Sequence, residues 1–164
     1  DKGLWSAELA TAACDAIQKK PEGQMEEHVK DPAVFLVENA DGLKTATLVL
    51  SGYVSDFSDA ARVDGQVQGV EFYLQNEGPF SHFGYLCRNV QDFFRTKKAP
   101  YPPERTLLTT GIIDAAMNSR HEDHRKIETP YLNVAYSSYD KLPQRPIGTR
   151  PVGASIDPQA PDII

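Results

Sequence analysis

The chain has 164 residues, of which 40% are hydrophobic and 24% charged, and this composition fits one globular domain and excludes disordered and low-complexity classes. The formal net charge of −6 argues against nucleic-acid binding, because that affinity depends on Lys and Arg displacing counterions from phosphates. The longest apolar stretches, such as residues 33–37, are far too short to span a bilayer, so we expect no membrane partner.

The start of the chain and its cysteines predict a cytoplasmic location. No basic segment followed by an apolar run stands at the N-terminus, so no secretory signal is expected in the sequence as given. Cys14 and Cys87 are the only cysteines, which is too few for a disulfide framework. Two free thiols in a reducing compartment are the first interpretation, and a single bridge between them is the second.

The N-terminal part predicts a helix followed by a connection. Ser6 suits the N-cap of a helix over residues 7–19, in which apolar residues recur close to helical spacing. Pro21 and Gly23 end this helix. Residues 24–31 are polar and carry both signs of charge, so we expect a connecting segment there.

Two hairpins are predicted next. Residues 33–38 and 43–52 flank an Asp-Gly pair, which favours a hairpin turn, and the second arm alternates between more and less apolar positions. Residues 60–64 and 67–75 resemble a second pair of strands around Gly65. In the later arm Val70, Phe72 and Leu74 share one face. The alternation in the second arm of the first hairpin predicts a sheet that is covered on one side.

The periodicity then changes to that of helices. Residues from Pro79 onward repeat apolar side chains at three- and four-residue steps, and Lys97 to Pro100 end this helix with positive charge and a proline. A second helix begins after Pro102 and Pro103 and runs to about Ser119. A final strand is predicted over residues 131–136.

The order of these elements predicts the fold class and the domain limits. Helices and strands are segregated along the chain, so we expect an α+β fold with an open, mostly antiparallel sheet and helices packed on one face. A single domain is predicted over residues 1–141. Residues 142–164 are rich in Pro, Gly and Arg and predict an extended C-terminal tail.

The sequence contains little that indicates catalysis. No G-x-G-x-x-G motif is present, so we expect no cofactor site for a dinucleotide on this chain. His121 and His124 flank two carboxylates and offer the chemistry of a metal ligand pair, but they stand in a polar loop, so we predict a solvated loop and no metal.

Four polar side chains are the predicted substrate-binding residues. Cationic, aromatic and imidazole groups on a sheet surface or at helix ends can hold a hydroxylated or anionic small molecule. The competing interpretation makes the same groups surface charges, caps or buried pairs. The candidates are Arg62, His82, Tyr85 and Arg105.

A resemblance to a known family covers most of the chain from Ala33 onward and is densest over residues 80–119. The run Phe-Ser-His-Phe-Gly-Tyr-Leu-Cys-Arg-Asn-Val-Gln-Asp-Phe-Phe-Arg-Thr-Lys-Lys-Ala-Pro, followed by Pro-Pro-Glu-Arg-Thr-Leu-Leu-Thr-Thr-Gly-Ile-Ile-Asp-Ala-Ala-Met-Asn-Ser-Arg, is similar to the C-terminal domain of the glucose-fructose oxidoreductase and inositol dehydrogenase family (Gfo/Idh/MocA). In that family a helix closes with a basic turn and a proline, a second helix ends near a serine, and a last strand completes the sheet.

The resemblance implies one part of a larger enzyme. An N-terminal Rossmann domain would bind NAD or NADP, and the sheet of this chain would contact a sugar or polyol and build a homo-oligomer. The fingerprint glycines and the catalytic lysine and histidine of the family have no counterpart here, so no catalytic residue can be assigned and we expect the isolated chain to be inactive. The alternative hypothesis is a non-catalytic domain for homo-oligomerisation, through Tyr53, Phe72 and Tyr73, or for binding a small molecule.

Overall fold

The computed structural model describes residues 4–72 and 82–137. The chain divides into two compact units, residues 1–73 and 74–164. The predicted α+β class is confirmed by helices and antiparallel strands in the described residues. The predicted tail, 142–164, lies outside these residues, and a single domain over residues 1–141 stays a prediction.

The first helix, α1, spans Ala7–Ala16 and begins as the sequence predicts. The backbone N–H of Leu9 donates to Ser6 Oγ at 3.3 Å, which satisfies one of the donors left open at a helix start. The helix ends three residues before the predicted limit, and Ile17 is its C-cap. Ala10, Cys14 and Ile17, at steps of four and three residues, form its buried stripe.

The first hairpin joins β1, Ala33–Glu38, to β2, Lys44–Val49, as an antiparallel pair. Its turn is closed by local bonds: the Asn39 N–H donates to the Leu43 carbonyl at 2.8 Å, and the Leu43 N–H donates to Asp41 Oδ1 at 3.0 Å. Gly42 has a φ of +89°, which an L side chain rarely adopts. The predicted Asp-Gly turn is therefore confirmed.

The second hairpin joins β3, Phe57–Val63, to β4, Gln66–Phe72. Asp64 and Gly65, with φ of 50° and 78°, form the two-residue turn between paired Val63 and Gln66. Positive φ at both central residues is the requirement of a type I′ turn, whose twist matches that of the strands.

Within the described residues the strands form two two-stranded sheets rather than one open sheet. Each hairpin is set by its own short turn, whereas joining the two would need a register fixed across residues 50–56. That connection instead turns back on itself, since the N–H groups of Tyr53 and Val54 both donate to the Leu50 carbonyl.

The core of the first unit lies where α1, the end of β2 and a short helix meet. Cys14, Leu50 and Tyr53 are its buried members. The short helix α2, Met25–His28, falls inside the segment predicted as a connection, and Met25 packs against these residues.

In the second unit, helices α3, His82–Thr96, and α4, Pro103–His121, are at the predicted places. Lys97 follows α3 with a φ of 57°, and its N–H donates to the Phe93 carbonyl at 2.8 Å, so a left-handed residue ends the helix. Pro103 and Glu104 occupy the first turn of α4, as the sequence predicts.

The strand predicted over residues 131–136 is wrong. Pro130–Leu132 form a 3₁₀ turn, and residues 133–137 form no strand. Leu132 is buried against α4: its Cδ1 lies 3.0 Å from the position that a Cβ would take on Gly111. Turn bonds, such as the Leu132 N–H to the Thr129 carbonyl at 2.9 Å, replace the bonds of a sheet.

Candidate functional site

The four predicted substrate-binding residues are divided between the two units. Arg62 lies on β3 in the first unit, whereas His82, Tyr85 and Arg105 lie on α3 and α4 in the second. A common site of all four therefore stays a prediction, and each residue is characterised by its own surroundings.

Arg62 connects the second hairpin to α1. Its Nη2 donates to Glu8 Oε2 in a short ion pair, and its Nη1 donates to the Gly65 carbonyl at 3.3 Å. Both side chains are about half exposed, so solvent screens the pair and it adds little stability. Arg62 thus bonds to α1 and to the turn of its own hairpin, which agrees with its interpretation as a paired surface charge.

His82 and Tyr85 occupy the start of α3. His82 is the first residue of the helix, and its side chain lies outside the described part. Tyr85, one turn later, is half-buried, and its carbonyl accepts from Asn89 Nδ2 at 3.0 Å. The two residues therefore stand on consecutive turns at one end of α3.

Arg105 lies in the first turn of α4. Its guanidinium carbon stands 5.2 Å from the centre of the Tyr101 ring, a cation–π distance. Its N–H donates to the Pro102 carbonyl at 3.1 Å, and the side chain is exposed. The arrangement offers an oriented cation beside an aromatic ring at the surface of the second unit.

The two faces of the second hairpin differ in what covers them. α1 packs on the face of Ala60 and Gly69, where a Cβ on Gly69 would stand 3.4 Å from Ala16 Cβ and 3.1 Å from the Ala12 carbonyl carbon. The opposite face is here called the open face. It is formed by every second residue of β3 together with the residues of β4 that pair with them. Its apolar members are Phe57, Val63, Val70 and Phe72, exposed by 62%, 46%, 53% and 53%.

A cleft that the sequence did not predict lies in the first unit. It has a volume of about 500 Å³ and separates the segment after α1 from the connection between β2 and β3. Its lining includes two lysines and one buried aromatic ring. The lining residues are Lys19, Lys20, Pro21, Gly52, Tyr53, Val54 and Ser55.

Tyr53 forms a fixed wall of this cleft. Its ring stacks on His28 with centres 5.6 Å apart, and its Oη donates to the Gly23 carbonyl at 3.4 Å. His28 Nε2 in turn donates to the Glu22 carbonyl at 2.7 Å. A Lys-Lys-Pro sequence after a helix and a Gly-Tyr pair after a strand were the available signals, but no sequence rule brings them together.

Two groups beside the cleft have shifted pKa values. A hydrogen bond from Lys20 Nζ to Asp15 Oδ1, 2.5 Å long, raises the pKa of Lys20, so this amine is charged throughout the neutral range. Burial raises the pKa of the Cys14 thiol, which keeps it protonated and poorly nucleophilic. Lys20 is therefore a charged donor paired with Asp15, and the raised pKa of Cys14 favours the protonated thiol.

The histidine pair predicted in a polar loop is divided by the end of α4: His121 is the last residue of the helix, and His124 lies three residues beyond it. Asp123 and His124 both have positive φ, and the His124 N–H donates to the Ser119 carbonyl at 2.8 Å, so the loop is a helix-terminating turn. Across residues 4–72 and 82–137, no three His, Cys, Asp or Glu side chains come together as a metal site.

Comparison of the chain with protein families, with curated proteins and with solved structures gave no match. Within the part of the chain that the structure describes, no helix combines the length and the apolar character that crossing a bilayer requires.

Proposed function

We propose that this chain is the substrate-side and oligomerisation part of an NAD(P)-dependent oxidoreductase that acts on a sugar or polyol. In this proposal the chain contacts the substrate and packs against a second copy of itself, and a Rossmann domain binds the cofactor. The observation that carries the assembly role is the open face of the second hairpin. The resemblance of residues 80–119 to the Gfo/Idh/MocA C-terminal domain supports the enzyme class.

The open face has the composition of an interface. Phe57 pairs with Phe72 and Asp59 pairs with Val70 across the hairpin, so two aromatic rings and a branched side chain lie side by side on it. α1 covers the smaller side chains of the opposite face. Contiguous exposed apolar residues of this size mark interaction surfaces in soluble proteins.

A second copy of the chain is the proposed occupant of the open face. Two antiparallel hairpins can pack face to face about a twofold axis, since each supplies the same apolar residues to the other. Among the paired residues of this face Asp59 is the charged one. Because it pairs with Val70 it would lie within the contact, where the amide groups of Gln66 and Gln68 on the same face can donate hydrogen bonds to it.

Sedimentation velocity on the full chain tests the assembly role. We expect the wild type to form a dimer and Val70→Glu to be a monomer, because the new carboxylate would be buried in the contact beside Asp59, and like charges repel. Leu107→Glu, at a residue of similar exposure on α4, is the matched control and should remain dimeric. A wild type that stays monomeric at high concentration contradicts this role.

The enzyme class has a separate test. NADH fluorescence titrated with the isolated chain should show no binding, and a G-x-G-x-x-G motif should be encoded upstream of Asp1 in the same reading frame. If the upstream sequence lacks that motif, or if the chain alone binds NADH and oxidises a polyol, the proposed class is wrong.

A further inference from the structure

We propose that the cleft lined by Lys19, Lys20 and Tyr53 binds a small organic carboxylate. This site goes beyond the proposed function, since it involves none of the four predicted substrate-binding residues and does not include the open face. Its volume of about 500 Å³ lies within the range of small-molecule sites.

The wall of the cleft is held in place before any ligand arrives. Tyr53 is 7% exposed and is fixed by its ring stacking on His28 and by its bond to the Gly23 carbonyl. Gly52 has a φ of +97°, and a Cβ there would stand 2.8 Å from the His28 carbonyl oxygen, so the connection passes tightly over α2. A preformed wall lowers the ordering cost of binding.

Charge selects an anion. Lys20 Nζ carries three donors and gives one of them to Asp15, which leaves two for a ligand. Its side chain is 23% exposed, so solvent screens it less than a free surface lysine. Lys19 adds a second ammonium group on the rim, and the three groups together carry a net charge of +1 in a chain of −6.

The rest of the lining indicates the chemical class. A net charge of +1 matches one carboxylate better than a phosphate, which carries close to two negative charges at neutral pH. Pro21 and Val54 offer apolar contact to a short carbon chain, and the Ser55 hydroxyl can bond to a ligand hydroxyl. A hydroxylated monocarboxylate uses all of these groups.

Amide chemical-shift titration of the full chain with gluconate tests the proposal. We expect saturable shifts at residues 52–55, and no such shifts with sorbitol, which has the same carbon chain and no carboxylate. Lys20→Gln should weaken gluconate binding at least about tenfold, because a charge-assisted bond is lost. Lys44→Gln, on the first hairpin, removes one lysine elsewhere in the unit and should leave the affinity unchanged.

The same titration can overturn the proposal. Equal shifts with sodium chloride at matched ionic strength, or with sorbitol, would show that no carboxylate is recognised, and tighter binding of inorganic phosphate would replace the proposed class. If circular dichroism shows that Lys20→Gln does not fold, the gluconate titration of Lys19→Gln tests the site instead. That variant should weaken gluconate at least about threefold, and an unchanged affinity contradicts the site.

Discussion

Helices α1 and α3 differ in how well the apolar pattern of their sequence matches the burial of their side chains. α3 has the clearest apolar repeat of the chain, yet Leu86 and Phe94 on it are 51% and 75% exposed. α1 is built mainly from small residues, and its residues Ala10 and Cys14 and its C-cap Ile17 are buried. Small side chains let α1 approach the backbone of the second hairpin closely, whereas the repeat of α3 indicates only that its apolar face suits a partner.

Truncating a buried residue beside α1 should have the largest effect. Ile17 is 3% exposed, so Ile17→Ala should lower the free energy of unfolding by about 2–5 kcal/mol, because a cavity forms. Leu86→Ala on α3 removes a side chain of similar size that is half exposed, and it should cost less than about 1 kcal/mol. Urea denaturation measures both, and equal losses would contradict the contrast between the helices.

The close contact of α1 with β4 should tolerate no larger residue. In Gly69→Val the new side chain would press on the Ala12 backbone, so we expect a loss of about 1–3 kcal/mol in the free energy of unfolding. Gln68, the residue before Gly69, points to the open face, so Gln68→Val should change stability by less than about 0.5 kcal/mol. A neutral Gly69→Val would mean that α1 does not pack where it is described.

Each of the two helices carries one cysteine, which makes their burial directly comparable. Cys87 is exposed, whereas Cys14 is buried and has a raised pKa, so at pH 8 a thiol reagent should modify Cys87 at least about tenfold faster. Cys87→Ser and Cys14→Ser variants assign the two rates. Equal rates would remove the difference between the helices.

The raised pKa of Cys14 also sets a direction for stability. The folded thiol ionises at higher pH than the unfolded one, so its contribution is complete below the unfolded pKa and is lost as the pH rises through the folded pKa. The free energy of unfolding should therefore decline in mildly alkaline solution, and Cys14→Ala should reduce this decline.

Removing the cap of α1 should have the smallest effect. Ser6→Ala deletes the acceptor of the Leu9 N–H, and we expect a loss of about 1 kcal/mol in the free energy of unfolding. Ser6→Asp should retain the stability, since a carboxylate also accepts this bond and favours a helix N-terminus. Thermal denaturation followed by circular dichroism measures both variants.

Local chemistry predicted where α1 and α4 begin and where the hairpins turn, whereas the end of α1 and the start of β3 each differ from the prediction by three residues. Ser6 as a cap, Pro103 at the start of α4 and the Asp-Gly turns each act within a few residues, so the sequence alone was sufficient. The strand predicted over residues 131–136 is wrong because its structure depends on a long-range contact. Its alternating apolar residues fit a strand, but burial of Leu132 against Gly111 depends on a contact that no local pattern encodes.

The candidate sites were less predictable than the elements. Arg62 was expected at a substrate, and its pairing with Glu8 depends on how α1 crosses the second hairpin. The cleft joins residues 19–21 to residues 52–55, which are far apart in the chain. Only the packing of α2 and Tyr53 brings them together, so sequence periodicity could not reveal this site.

The two hairpins have a consequence for handling the purified chain. Within the described residues each strand pairs with one neighbouring strand, so its other edge has backbone N–H and C=O groups that no described strand pairs with. An extended segment of another molecule can pair with such an edge strand. If the two molecules pair through different edges, each added molecule leaves a new edge free, and a filament can grow. Concentrated preparations should therefore gain cross-β order on storage, and a short peptide that caps one edge should delay this growth.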